Sequence, residues 1–337
     1  MITYIFGAGA SIEAVPIVDQ IPERIDAMIK LLQEDEYKLS EKAKYAILNV
    51  EETKFQIQTI FIRSLEWLWK HIMNHASIDT FAKKLYVTRK TDDYNLLKAT
   101  LTSFLLLEQF KNPIDKRYDS FFAALSEKGL PIKLPDHVKI ISWNYDFQFE
   151  KAFSSYSLKN DLLANQEMLH VYPTKYQEGG IDDFGIFKIN GTTSAYSKEE
   201  KRLSPIISNV NNSFDKTLIE NILHDYIMFL RFPMQFTPLI HFAWEDNSIS
   251  TDIINAAKEA ILPTEVLIIV GYSIPFFNRE IDRFIIRNMK ALKKIYIQAP
   301  EKDAGNIRTR LKSITDMPDS HIELITDVKQ FFLPPEL

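Results

Sequence analysis

The chain opens MITYIFGAGAS at residues 1–11, and this stretch decides the fold. Ile2 to Phe6 is a short apolar run that ends at once on Gly7 and Gly9. A run of that kind reads as a strand buried on both faces. Glycine is scarce, with 9 in 337 residues and none between Gly9 and Gly129, so this pair is expected to serve a purpose. A strand followed by Gly-x-Gly lets backbone pass close to a pyrophosphate while a helix N-terminus points at it. Ile12 holds the place of the third glycine of GxGxxG, so the motif by itself leaves a plain tight turn as the alternative.

Working outward, five more strands are expected: HVKIISW at 137–143, FGIFKI at 184–189, EVLIIVG at 265–271, KKIYIQ at 293–298 and HIELI at 321–325. Between the first and second of the six lies a segment with neither Gly nor Pro from Glu23 to Asn112, whose apolar residues recur near the helical period. Further helices are expected at 214–232 and 277–292, while 158–185 reads as a long loop. Apolar strands alternating with amphipathic helices predict an α/β fold with a Rossmann-like parallel sheet. The expected organisation is a single domain over 1–337, with a large helical insertion at about 20–130 after the first strand.

Composition narrows the function. The formal net charge is −5 and charged residues make up 25% without long runs, which argues against direct nucleic-acid binding. No apolar stretch approaches the ~20 residues needed to cross a bilayer, and the N-terminus lacks a signal-peptide pattern. A cytoplasmic protein with no membrane association is expected. There is no cysteine, which excludes disulfides, thiolate catalysis and cysteine-held zinc. His71 and His75 share an i, i+4 spacing but lack the glutamate of HExxH, so they read as a helix face and no metal is expected.

Polar residues gather at four strand ends. Gly7 to Ser11 follow the first strand, Asn144 and Asp146 stand in ISWNYD at 141–146, Asn190 and Gly191 in KINGT at 188–192, and Gly271 and Ser273 in VGYS at 270–273. An open α/β sheet keeps its ligand beyond these carboxyl ends. The order GAG-x-S, x-N-x-D, x-x-G and G-x-S resembles the sirtuin pattern of NAD-consuming Rossmann domains. IDTFAKKL at 78–85, RYDSFF at 117–122, SWNYDFQFE at 142–150 and GYSIPFFNREIDRF at 271–284 resemble the bacterial sirtuin-like proteins of antiphage defence.

The resemblance implies a ligand and roles. Gly7, Ala8, Gly9, Ala10 and Ser11 would meet the NAD pyrophosphate, and Gly271 and Ser273 the adenosine ribose, with Gly191 and Asn278 also at the cofactor. Asn144 would hold the nicotinamide-side ribose, Asp146 would contact the carboxamide, and Trp143 would wall the nicotinamide pocket. Zinc-dependent deacylation is not expected of a cysteine-free chain. In the family the strand-end motif usually reads x-x-H-G, and here Asn190 stands in place of the histidine. An amide cannot take up a proton near neutral pH. His170, in LHVYPTKY, is the nearest candidate replacement and joins Asn144, Asp146 and Asn190 as a catalytic candidate. His224 is assigned to packing, while His241, before FAWE, stays undecided.

The expected activity is hydrolysis of NAD to nicotinamide and ADP-ribose by a defence effector. The rival is a sensor or regulatory subunit holding NAD or ADP-ribose without turnover and signalling to a defence partner; a nucleotide-sugar transferase is a third reading. Homo-oligomerisation is expected. Gly9→Val is expected to remove nucleotide binding and to leave the fold mostly intact.

Overall fold

The structure is a computed structural model that describes residues 1–37, 53–129, 132–173, 183–199, 202–245 and 248–337. In chain order the strands are β1 (Ile2–Phe6), β2 (Val138–Ser142), β3 (Val171–Tyr172), β4 (Gly185–Lys188), β5 (Gly191–Ser197), β6 (Arg202–Ser204), β7 (Phe236–Ile240), β8 (Val266–Val270), β9 (Lys294–Gln298) and β10 (Ile322–Ile325). Seven of them form one sheet in the order β10-β9-β8-β1-β2-β4-β3, and every pairing within it is parallel. This is the α/β, Rossmann-like sheet that the apolar runs predict.

The chain divides into two compact units. The first comprises Met1–Ile12, Ile114–Thr192 and His241–Leu337, and it holds the parallel sheet. Its central strand is β1, paired with β2 on one side and β8 on the other. Every residue of β1 is buried, and its side chains alternate between two cores. Ile5 joins Ile141, Ile269 and Ile297 on one face, while Ile2, Tyr4 and Phe6 join Ile140, Ile186 and Ile268 on the other. Phe6 meets Phe149 and Phe331 edge-on at 5.1 and 5.0 Å, pairs that add ~0.5–1.5 kcal/mol beyond simple burial. The one polar residue, Thr3, is kept in this dry setting by a 2.7 Å hydrogen bond to the Thr264 hydroxyl.

The second unit comprises Glu13–Pro113 and Thr193–Ile240. The stretch 193–240 belongs with the helices that precede Pro113, whereas the helix Lys116–Leu125 belongs with the sheet unit. Within the second unit, Tyr226 of the helix Lys216–Arg231 packs on Phe61 at 4.8 Å and shares a 2.7 Å hydrogen bond with Ser64 of the helix Thr53–Met73. The helix Thr91–Lys111 is buried on all sides from Leu97 to Phe110, which blurs any amphipathic stripe. Trp67 packs on Phe81 while Trp69 is exposed, so the two face different ways as their spacing requires. A small sheet has the order β6-β5-β7. The segment read as a loop over 158–185 contains the helix Leu162–Met168 and β3, and its part at 174–182 lies outside the described residues.

Among the described residues, no helix is long and apolar enough to cross a membrane. The chain leaves β1 towards β2 but leaves β8 towards β9, in opposite directions across the sheet. Open α/β sheets bind their ligands beyond the carboxyl ends of the strands at such a divergence, here β1 and β8.

Candidate functional site

Beyond these carboxyl ends the loops after β1 and β8 press backbone on backbone. Gly9 N–H donates to Gly271 O at 2.9 Å, and Gly7 N–H donates to Val270 O at 3.0 Å. A side-chain carbon at Gly271 would stand 2.4 Å from Ala10 N, one at Gly7 would stand 2.6 Å from the Tyr272 backbone, and one at Gly9 would stand 3.0 Å from Gly271. Gly271 also has φ +57°, a left-handed backbone that favours glycine. These glycines therefore let two loops of the protein touch, a demand present without any ligand.

Two expectations change as a result. Gly9→Val would strike the Gly271 backbone, so it cannot be counted on to spare the fold. The chain after β1 forms only a single 3-10 turn at Ala8–Ser11 rather than a helix aimed at a phosphate. The N–H groups of Gly7, Gly9 and Ala10 are already taken inside the protein, the last by Gly7 O at 2.9 Å. Ala8 is exposed on this turn and Gly9 half-exposed.

Behind the turn, Ser11 is a buried hub. Its hydroxyl lies 2.8 Å from the Tyr118 hydroxyl, and Asn144 Nδ2 donates to Ser11 Oγ at 3.2 Å and to Gly7 O at 3.0 Å. Asp146 also bonds Ser11, and its Oδ1 accepts from Gln148 N–H at 3.1 Å. Burial raises the Asp146 carboxyl above its ordinary range, against the pull of the nearby Lys188 cation. Arg117 braces the outer side of the turn, its Nη2 donating to Gly9 O and Ala10 O at 3.1 Å each while Asp115 holds it at 2.6 Å.

Asn190 follows β4 and meets the same place. Its Nδ2 donates to Trp143 O at 3.2 Å, but its buried Oδ1 has no hydrogen-bond donor among the described residues. A buried acceptor left open costs ~1–3 kcal/mol unless something donates to it. Trp143 stacks on Tyr272 at 5.7 Å and 12°, Asn278 Nδ2 donates to the Tyr272 hydroxyl at 2.9 Å, and that hydroxyl donates to Asp282 at 2.8 Å. Burial pushes the Asp282 carboxyl up to about 8. Gly191 has φ +78° as the chain turns into β5, and Ser273 is exposed, its carbonyl accepting from Arg310 Nη1 at 2.8 Å.

His170 stands apart from the cluster. It precedes β3, which pairs in parallel with β4 from Val171 opposite Ile186, so it lies at the amino edge of the sheet. Its Nδ1 is 2.8 Å from Phe184 O. Asn190 and Asn144 are at the carboxyl edge.

Several members of the cluster were not singled out in the sequence. Tyr118, Arg117, Tyr272, Asp282 and Lys188 sit inside quoted motifs, yet nothing local marks them, because each acts on residues far away in the chain. Lys188 is wholly buried, with Nζ donating to Asp146 O at 2.6 Å and to Glu150 Oε1 at 2.7 Å. Its signal was legible in principle: a lysine closing an otherwise apolar strand needs a buried partner.

Among the described residues no group of three or more His, Cys, Asp or Glu is placed to hold a metal ion. Comparison with protein-family models gave no match. A search of curated proteins gave none either.

Proposed function

We propose that the protein is an NAD hydrolase of sirtuin-like type, acting as an antiphage defence effector. The observation that carries the reading is the open, buried acceptor of Asn190, after β4, together with the anchored amide of Asn144, after β2, at the carboxyl edge of the sheet. Ribose hydroxyls are donors of the kind Asn190 Oδ1 lacks, and the exposed Ala8–Gly9 turn and Ser273 loop offer a surface for the rest of a dinucleotide. Cleaving the bond between ribose and nicotinamide passes through an oxocarbenium-like state, which is favoured by pinned hydroxyls and an oriented leaving group.

The test is incubation of the purified protein with NAD and chromatography of the products. Nicotinamide and ADP-ribose are expected from the wild type, and none from Asn144→Ala, the two compared at a temperature where both proteins are folded. Absence of ADP-ribose binding in calorimetry of the wild type would remove the dinucleotide reading. The second reading, a sensor that binds without turnover, is favoured by the amide at Asn190; it predicts ADP-ribose binding with no nicotinamide release.

A further inference from the structure

Trp143 links the two amides of the site. It directly precedes Asn144 in the chain, and its carbonyl accepts from Asn190 Nδ2 at 3.2 Å. Its backbone N–H is tied to Phe6 O at 3.0 Å, so the indole is the part of this residue that the fold still has to fix. The ring is buried and lies on Tyr272 at 5.7 Å and 12°. Tyr272 in turn presses on the turn after β1, where a side-chain carbon on Gly7 would come within 2.6 Å of it.

Both rings are held from one place. The Tyr272 hydroxyl donates to Asp282 Oδ2 at 2.8 Å, and the Trp143 indole bears on the same carboxyl as a donor. Asn278 Nδ2 donates to that hydroxyl at 2.9 Å, which commits the hydroxyl proton to Asp282. Asp282 belongs to the helix Arg279–Asn288 and is 1% exposed. Burial raises its carboxyl, the bonds from Tyr272 and Trp143 oppose that, and among the described residues no charged side chain bears on it. Arg279, Glu280, Arg283 and Arg287 of its own helix are half-exposed or exposed. On the neighbouring helix Ser248–Ile261, Asp252 is exposed and Lys258 pairs with Glu259 at 3.5 Å.

We propose that Asp282 is a positioning residue of this site: by holding Tyr272 and Trp143 together it fixes the Trp143 carbonyl, and so aims the open Oδ1 of Asn190 at the ligand. The inference rests on the dinucleotide reading above. A neutral carboxyl suits this dry place, whereas an ionised one is costly to keep from water. Ionised Asp282 is therefore expected to draw water in and loosen the stack, which leaves Asn190 misdirected. With its carboxyl pushed up to about 8, the neutral, competent form holds most molecules at pH 7 and roughly one in ten at pH 9.

The experiment titrates ADP-ribose into the whole protein by calorimetry at pH 7 and pH 9, at a temperature where every variant is folded, and follows nicotinamide release from NAD alongside. Apparent affinity scales with the competent fraction, so the wild type is expected to bind about 10-fold more weakly at pH 9. Asp282→Asn cannot ionise and is expected to lack this fall. Lys151, lowered by burial to about 8, titrates in both proteins, so the difference between them isolates Asp282. Asp282→Leu, which offers Tyr272 and Trp143 no acceptor, is expected to bind more weakly than Asp282→Asn already at pH 7. A purely structural role would move the melting temperature and not the affinity of the folded protein. Parallel pH profiles in the wild type and Asp282→Asn overturn the assignment, as does a folded Asp282→Leu that binds as tightly as the wild type at pH 7. A wild type that binds ADP-ribose at neither pH removes the dinucleotide reading, and the positioning role with it. One that binds with the expected pH dependence yet releases no nicotinamide removes the hydrolase reading alone.

Discussion

Gly271 and Gly305 are both glycines, and their surroundings predict opposite responses to alanine. At Gly271 the new methyl would lie 2.4 Å from Ala10 N on a backbone with φ +57°. The left-handed conformation alone costs ~1–2 kcal/mol for a residue with a side chain, and the contact adds to it, so Gly271→Ala is expected to lower the melting temperature by several degrees. At Gly305, in the helix Glu301–Lys312, nothing lies within 4 Å of the added carbon, and alanine should stabilise by ~0.5–1 kcal/mol. Denaturant titration of the two variants checks both signs. Asp282 carries a different prediction. Its carboxyl titrates near 8 when folded against 3.8 as the unperturbed value, so between those limits the unfolded chain gives up a proton that the folded chain keeps. Folding stability from this group therefore falls as pH rises from about 4 to about 8 and is flat above. Asp282→Asn keeps an acceptor for the Tyr272 hydroxyl and cannot ionise. Calorimetry at pH 5 and pH 8 should show the wild type losing more stability over that interval than the variant; equal losses would show that Asp282 does not titrate there.

Between elements, the buried Lys188–Glu150 pair joins the end of β4 to the helix Gln148–Ser157, with Gln166 Nε2 donating to Glu150 Oε1 at 3.0 Å. Removing one charge of a buried pair strands the other and costs ~3–5 kcal/mol. Lys188→Met is expected to destabilise by about that much, and Lys188→Met combined with Glu150→Gln by less than the sum of the two single changes. A double-mutant cycle in urea measures the difference, and strict additivity would show the pair to be uncoupled. The strands of the parallel sheet were legible because both faces of each are covered, so Ile2–Phe6 and Val266–Val270 read as unbroken apolar runs. β5 was not legible. Its sequence GTTSAYS is buried through most of its length yet carries hydroxyls in place of aliphatics, so no hydrophobic period announces it. The turn after β1 was legible only in part for a related reason: Gly-x-Gly signals close backbone approach, but the sequence does not say that Gly271 of another loop is one of the approaching partners.

At the scale of the whole chain, the second unit is assembled from two segments 80 residues apart in sequence, Glu13–Pro113 and Thr193–Ile240. Local periodicity reports that a helix forms and not which distant segment it packs against, so the grouping of 193–240 with the earlier helices was not legible. The arrangement makes a prediction: a fragment spanning 13–113 lacks Tyr226, the partner of Phe61 and Ser64, and should retain helical far-UV dichroism without a cooperative melt. A sharp two-state transition in that fragment would show that the helices hold together without 193–240. The same discontinuity shapes how the molecule is made. β1 leaves the ribosome before either of its neighbours, and its partners are Val138–Ser142 and Val266–Val270. At ~5–20 residues per second, the first partner follows after on the order of ten seconds, and the second after roughly as long again. A newborn ITYIF segment offers two bare hydrogen-bonding edges until the first partner emerges and one until the second does, so nascent chains of this protein should depend on holdase chaperones that bind short apolar segments, and their yield should fall when translation is slowed between codons 7 and 266.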